Sequence, residues 1–262
     1  MQLEVISREP AQKLSETPLL FIHGACHGAW CWEENFLDYF ADRGFSSHAV
    51  SLRGHGNSEG RDKVRWASIK DYVSDVALIA GRFQNKPVVL GHSLGGLVVQ
   101  KYLERNEAPA GVLIAPSPVS GMFRDGTRMF FRNPFLFLRV FATLDTQKVY
   151  SPPERARAWL FSETTCKTKV TGYAEKIGPE SFRAFLEMLY LLPKPELIKA
   201  PLLVLGAEND TVVSQNSILK TARAFQADFK IFSNMAHDLM LDEGWETVAE
   251  FIYSWLRKRL VK

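Results

Sequence analysis

At 262 residues, with 46% apolar and 23% charged residues, the chain has the length and composition of one large folded domain, with room for an insertion. These proportions exclude a disordered chain, a collagen-like repeat and a coiled coil. A formal net charge of +3, with bases and acids interleaved, is too small and too scattered for a nucleic-acid footprint, so no nucleic-acid partner is expected.

Residues 1–10 carry Glu4, Arg8 and Glu9 and lack the apolar run of a secretory signal. No stretch approaches the length that spans a bilayer, and the expected location is cytoplasmic. Cys26, Cys31 and Cys166 are odd in number and contain no close pair, which suits reduced thiols rather than a disulfide framework or a zinc ribbon. Residues 19–22, 46–52 and 87–90 read as buried strands, each ending near glycine or histidine in a short loop, in the manner of parallel strands covered on both faces. Between them, residues 32–43 and 69–83 space their apolar side chains at three and four, as helices packed on a sheet do, and Ser68, three before Asp71, is placed to cap the second.

From residue 117 to residue 195 strand signals vanish. Helix-like segments rich in Phe, Leu and Arg take over, punctuated by Asn133-Pro134, Pro152-Pro153 and Pro193. The rhythm then returns, with strands at 201–205 and 228–232 and helices at 217–224 and 245–259. The expected architecture is α/β: a mostly parallel central sheet flanked by helices, built from residues 1–116 and 196–262, with residues 117–195 inserted as a helical lid.

The sharpest chemical signal is Gly91-His92-Ser93-Leu94-Gly95, which follows one expected strand and precedes a helix-like stretch at 97–105. A chain turning that sharply holds its serine in a strained conformation and leaves no space for side chains at the flanking glycines. The free N–H groups at the start of the next helix favour negative charge on a bound oxygen, which makes the Leu94 N–H one donor of an oxyanion hole. A working elbow needs an acid and a base later in the chain, each past a strand end. Asp210 follows the strand at 201–205, with Glu208 and Asp238 as alternative acids, and His237 follows the strand at 228–232 as the last histidine of the chain. In this reading His237 takes the Ser93 proton, and the acid fixes the imidazole tautomer.

The second oxyanion donor is expected from His23-Gly24-Ala25-Cys26-His27-Gly28, where Gly24 lets the backbone pass close to a substrate and the Ala25 N–H points at the oxygen. His23 and His27 stand four apart, but across a glycine turn rather than along a helix, so no metal is expected. Cys26 lacks an elbow and reads as a small pocket-lining residue beside Gly24.

With these residues in hand, the chain resembles the α/β-hydrolase superfamily over nearly its whole length. His23-Gly24, Arg53-Gly54-His55-Gly56-Asn57-Ser58, Gly91 through Gly96, Gly206 through Asp210 and Ala236-His237 fall in that family's order. The run from His23 to Trp32 is similar to the plant methylesterase and hydroxynitrile lyase branch, whereas Arg53-Gly54-His55-Gly56 looks more like bacterial-type esterases and lipase-like hydrolases. The resemblance implies a cofactor-free acyl-enzyme route to the cleavage of carboxylic esters. Ser93 stands where dehalogenases and epoxide hydrolases of this fold carry aspartate. Lyases, C–C bond hydrolases and haloperoxidases keep the serine, and a ligand receptor with little turnover is a further alternative.

Phe123, Phe130, Phe131, Phe135, Phe137 and Phe141, with Met122, Met129, Leu136 and Leu138, make the expected lid unusually aromatic. They either glue the lid to the core or form, with Met122 at its edge, a pocket over Ser93 for small to medium hydrophobic esters. Arg124, Arg128, Arg132 and Arg139 among them would also suit an anionic membrane surface, although Asn133-Pro134 would break a long interfacial helix.

Overall fold

The computed structural model describes residues 1–261; Lys262, which closes the expected core, lies outside the described residues. Seven strands, Val5–Arg8 (β1), Leu19–Ile22 (β2), Ser47–Val50 (β3), Val88–His92 (β4), Gly111–Ile114 (β5), Leu202–Ala207 (β6) and Asp228–Phe232 (β7), form one sheet in the order β1-β3-β2-β4-β5-β6-β7. β1 runs antiparallel to β3, and every other neighbouring pair is parallel. Every residue of β2 through β6 is buried, as strands covered by helices on both faces must be.

The helices of the first half are Trp30–Glu33 (α1), Phe36–Ala41 (α2), Ile69–Ala80 (α3) and Ser93–Leu103 (α4). Ser68 and Asp71 bond reciprocally at the start of α3, which is the capping box that their spacing suggests. The single helix expected over 32–43 is instead two, because Asn35 leaves the helical region at φ −143° and ψ −49°. That break lets Trp32 and Phe36 both pack on Phe21, at ring-centroid distances of 5.2 and 6.3 Å. Two strands were not expected at all. β1 is an edge strand with one side open, so its composition lacks the apolar run of a central strand, whereas β5, Gly111-Val112-Leu113-Ile114, is a buried run of the same length as β2.

Between β5 and β6 lie five α-helices and no strand among the described residues: Phe123–Arg132 (α5), Pro134–Thr143 (α6), Pro153–Leu160 (α7), Lys167–Lys176 (α8) and Phe182–Tyr190 (α9). Asn133 ends α5 and caps α6, accepting the Leu136 N–H, with Pro134 in the first-turn position where its missing donor costs nothing. Gln215–Ala224 (α10) and Trp245–Leu260 (α11) complete the second half.

The sheet order places the site. From β2 the chain crosses to β3 on one side, and β4 lies on the other, so the loops leaving β2 and β4 open a crevice at the C-terminal edge of the sheet. Ser93 leaves β4 there, the His23 to Gly28 loop leaves β2, and the loops after β6 and β7 bring Asp210 and His237.

Candidate active site

Ser93 is the first residue of α4 and sits at φ 51°, in the left-handed region that a serine avoids unless its surroundings impose it. The imposition is steric. A Cβ on Gly95 would run into the carbonyl oxygens of His23 and Ile22, and one on Gly91 would strike the Gly95 carbonyl. The elbow therefore closes tightly enough to lift the Ser93 hydroxyl off the sheet.

His237 Nε2 lies 3.0 Å from Ser93 Oγ, and His237 Nδ1 lies 2.8 Å from Asp210 Oδ2. The other Asp210 oxygen accepts the N–H groups of Val212 and Val213 at 2.7 and 2.8 Å, which fixes the carboxylate in the plane of the imidazole contact. Both the His237 and the Asp210 side chains are buried. Burial lowers the His237 pKa, but the charge and hydrogen bond of Asp210, with a further contribution from Asp238, outweigh it and raise the ring above its ordinary 6.5.

The two alternative acids go elsewhere. Glu208 Oε2 accepts the Asn234 N–H at the surface. Asp238, wholly buried, holds His27 Nε2 at 3.0 Å, and His27 Nδ1 lies 2.8 Å from the Ala25 carbonyl oxygen. Both nitrogens of His27 face acceptors, an arrangement that favours the charged ring; burial opposes the charge, Asp238 outweighs it, and the pKa is raised. His92 Nε2–H donates to the His237 carbonyl at 3.1 Å, bracing the loop from below, while burial and the charge of His237 hold this ring neutral with a pKa of about 3.

On the opposite side, the Ala25 N–H has no hydrogen-bond partner among the described residues, and Leu94 stands in the first turn of α4, where N–H groups have no partner within the helix. Gly24 is needed for contact with the elbow itself: a Cβ there would fall 2.5 Å from His92 Nδ1 and 3.2 Å from Ser93 Cβ. Cys26 is buried at φ 65°, and burial, with the charges of Glu180 and Asp145, pushes its thiol pKa well up. His23 Nδ1–H donates to the Gly24 carbonyl and its Nε2 accepts the Leu52 N–H, so both of its ring nitrogens are engaged by protein.

Glu180, just before α9, carries no motif and was not anticipated. Its Oε2 accepts the Cys26 N–H and His55 Nε2–H, each at 3.1 Å, and its Oε1 accepts the Tyr72 hydroxyl and the Ser181 N–H, each at 2.6 Å. His55 Nδ1 lies 3.0 Å from the Arg53 carbonyl oxygen, so both nitrogens of this ring also face acceptors, and, against burial, Glu180 raises its pKa. Burial works against the Glu180 charge, yet His55, Tyr72 and Ser181 outweigh it and bring the carboxylate down to about 2. One side chain of the helical segment thus pins the loop that presents Ala25.

Met122 lines an almost wholly apolar cavity of about 200 Å³ with Phe123, Met129, Phe130, Phe137, Phe141 and Met188. Its wall is tied to the elbow, because Ser117 donates its hydroxyl to Met188 Sδ at 3.2 Å and its N–H to the Ser93 carbonyl at 3.0 Å.

A serine at a strand-to-helix elbow, reached by a histidine that an aspartate holds, over a mostly parallel sheet, is the arrangement of the α/β serine hydrolases. The chain belongs to the Alpha/beta hydrolase family, whose profile matches residues 19–251. It is similar to methyl jasmonate esterase 1 of Vitis vinifera, 34% identical over 96 residues that span 34% of each chain, so it matches about a third of that protein's length. It is also similar to a pFDCC methylesterase of Arabidopsis thaliana, 27% identical over 212 residues that cover 74% of this chain and 76% of the relative. Among solved structures, a thermophilic esterase from Thermogutta terrifontis superposes with a TM-score of 0.76 at 20% identity, over 98% of this chain and 94% of the other.

Proposed function

We propose that this protein hydrolyses carboxylic esters through an acyl-enzyme, with Ser93 as nucleophile, His237 as general base and acid, and Asp210 as the group that orients and stabilises the imidazole. The observation that carries the proposal is the unbroken contact from Ser93 Oγ to His237 Nε2 at 3.0 Å and from His237 Nδ1 to Asp210 Oδ2 at 2.8 Å, on a strained elbow. As Ser93 Oγ bonds to the ester carbonyl carbon, its proton passes to His237 Nε2 and the carbonyl oxygen becomes an oxyanion. The Ala25 and Leu94 N–H groups face that oxygen, each donor being worth about 3 kcal/mol of barrier. Collapse expels the alcohol with the His237 proton. Water, deprotonated by the same ring, then releases the acid.

The helical segment 117–195 serves in this reading as a lid, and the cavity bounded by Met122 takes an apolar part of the substrate. A small to medium hydrophobic ester fits its size, and the esterase and methylesterase relatives support an ester over a cyanohydrin or a carbon acid. The test is turnover of a p-nitrophenyl ester series of increasing acyl length by the wild type and by Ser93→Ala. The expected result is a rate that peaks at short to medium acyl chains and is lost in the variant. A wild type inert on every ester overturns the proposal, as does a variant of equal activity.

A further inference from the structure

We propose that the outer face of α5 and α6 is a docking surface for an anionic lipid bilayer. On α5 the side chains of Phe123 and Phe131 are 68% and 78% exposed, and on α6 those of Phe135 and Leu138 are 84% and 56% exposed. Soluble proteins rarely leave so many large apolar groups together in water. Positions 123 and 131 are eight apart on one helix and 135 and 138 three apart on the other, so each pair lies on one side of its helix as an exposed ridge.

The charges on this ridge are of one sign. Arg124, Arg132 and Arg139 are exposed, and none makes a hydrogen bond or ion pair through its side chain among the described residues; Arg132 only lies over the Trp159 ring at 5.1 Å. Arg128 is taken up by Asp125 and by the carbonyls of Thr211 and Val212. Asp125 is the one acid between residues 123 and 143, and it is buried against Ser217. A bare basic surface studded with phenylalanines matches a sheet of negative headgroups above an apolar layer: the rings enter the headgroup boundary and the guanidinium groups rest at its level. It does not match a second copy of this chain, since a two-fold contact through the ridge would bring arginines against arginines. The break at Asn133-Pro134, which argues against one long interfacial helix, instead folds two short helices side by side, joined by Phe130 against Phe137 at 6.3 Å. No described helix is long and apolar enough to cross a membrane, so contact of this kind is peripheral.

The test is flotation of the full chain with vesicles of phosphatidylcholine alone and of phosphatidylcholine mixed with phosphatidylglycerol. The readout is binding and is independent of any ester turnover, so its failure leaves the hydrolase proposal standing. The expected result is flotation with the anionic vesicles only, lost at about 1 M salt, where charges are screened beyond roughly 3 Å. The double variant Phe131→Ser/Phe135→Ser weakens binding at least tenfold with an unchanged melting temperature, and Arg124→Gln/Arg139→Gln removes the preference for anionic lipid. Wild type that stays at the bottom of the gradient with both vesicles overturns the proposal. So does binding that survives both variants, or a wild-type dimer in analytical ultracentrifugation that the phenylalanine variant dissolves in the absence of lipid.

Discussion

Replacing Glu180 tests how the helical segment supports the site. In Glu180→Gln the side-chain amide retains one oxygen for Tyr72 and Ser181, but its NH₂ group turns toward the Cys26 N–H and His55 Nε2. His55 can give up a proton and accept from that group; the Cys26 N–H stays buried without an acceptor, at a cost of about 1–3 kcal/mol. Glu180→Ala also removes one partner of a buried ion pair, for which about 3–5 kcal/mol is the usual loss. The titration behaviour leads to the same magnitude: a carboxylate held from 4.5 down to about 2 corresponds to roughly 3 kcal/mol. That stabilisation is fully present above pH 4.5 and disappears as pH falls through about 2. His55, whose pKa is raised by the same pair, contributes below 6.5 and loses its share as pH rises through its folded value. The two shifts describe one interaction and are counted once. For loss of the roughly 3 kcal/mol carried by the carboxylate's charge, the expected gap in melting temperature between wild type and Glu180→Gln near pH 5.5 is roughly 6–12 °C, from about 2–4 °C per kcal/mol in a domain of this size. It should narrow toward pH 3, and the variant should lose kcat more than KM as the Ala25 loop loosens. Thermal unfolding by circular dichroism is the assay. A melting temperature within about 2 °C of wild type, or a gap as wide at pH 3 as at pH 5.5, refutes the reasoning.

Three further outcomes follow from the site. Asp210→Asn should lower kcat about 10⁴-fold while leaving the fold intact, whereas Asp238→Asn, which strands a charged His27, should cost mainly stability, about 3–5 kcal/mol; kinetics and urea unfolding of the pair distinguish them, and the reverse ranking would give the acid role to Asp238. Because His237 must be neutral to act as base and its pKa is raised, kcat/KM should climb with pH along a limb centred above 6.5, and Asp238→Asn should move that limb downward. A limb centred below 6.5 in the wild type contradicts this electrostatic account. Gly95→Ala drives a methyl group into the carbonyls of Ile22 and His23 and should cost more than about 3 kcal/mol, read as loss of soluble protein; a soluble variant with wild-type melting refutes the steric argument for the elbow.

The elbow at Ser93 was legible because its demand is local. A turn from β4 into α4 that leaves no room for a Cβ writes itself as Gly91 and Gly95 around Ser93. Asp210 and His237 were legible by order, each a few residues past the end of a strand. The same logic failed for β1, an edge strand with one open side and no apolar run, and passed over β5, although Gly111-Val112-Leu113-Ile114 is as long and as buried as β2. It also read 32–43 as one helix, because the apolar spacing continues across Asn35 while the backbone does not.

Which acid meets which histidine was decided only in three dimensions. Asp210 and Asp238 are both acids beside the end of a strand, but the Asp238 N–H is bound to the Leu160 carbonyl and its carboxylate faces His27, 211 positions away, leaving Asp210 to His237. Glu180 is one acid among many in the sequence, and it acquires its place only when the helical segment closes over the loop after β2. The sequence by itself determined the elements whose constraints lie within a few residues: the elbow, the α3 cap, the buried parallel strands and the chain order of Ser93, Asp210 and His237. Tertiary structure decided the pairing of buried charges and the support of the loop after β2, because these depend on distances between segments that no local pattern records.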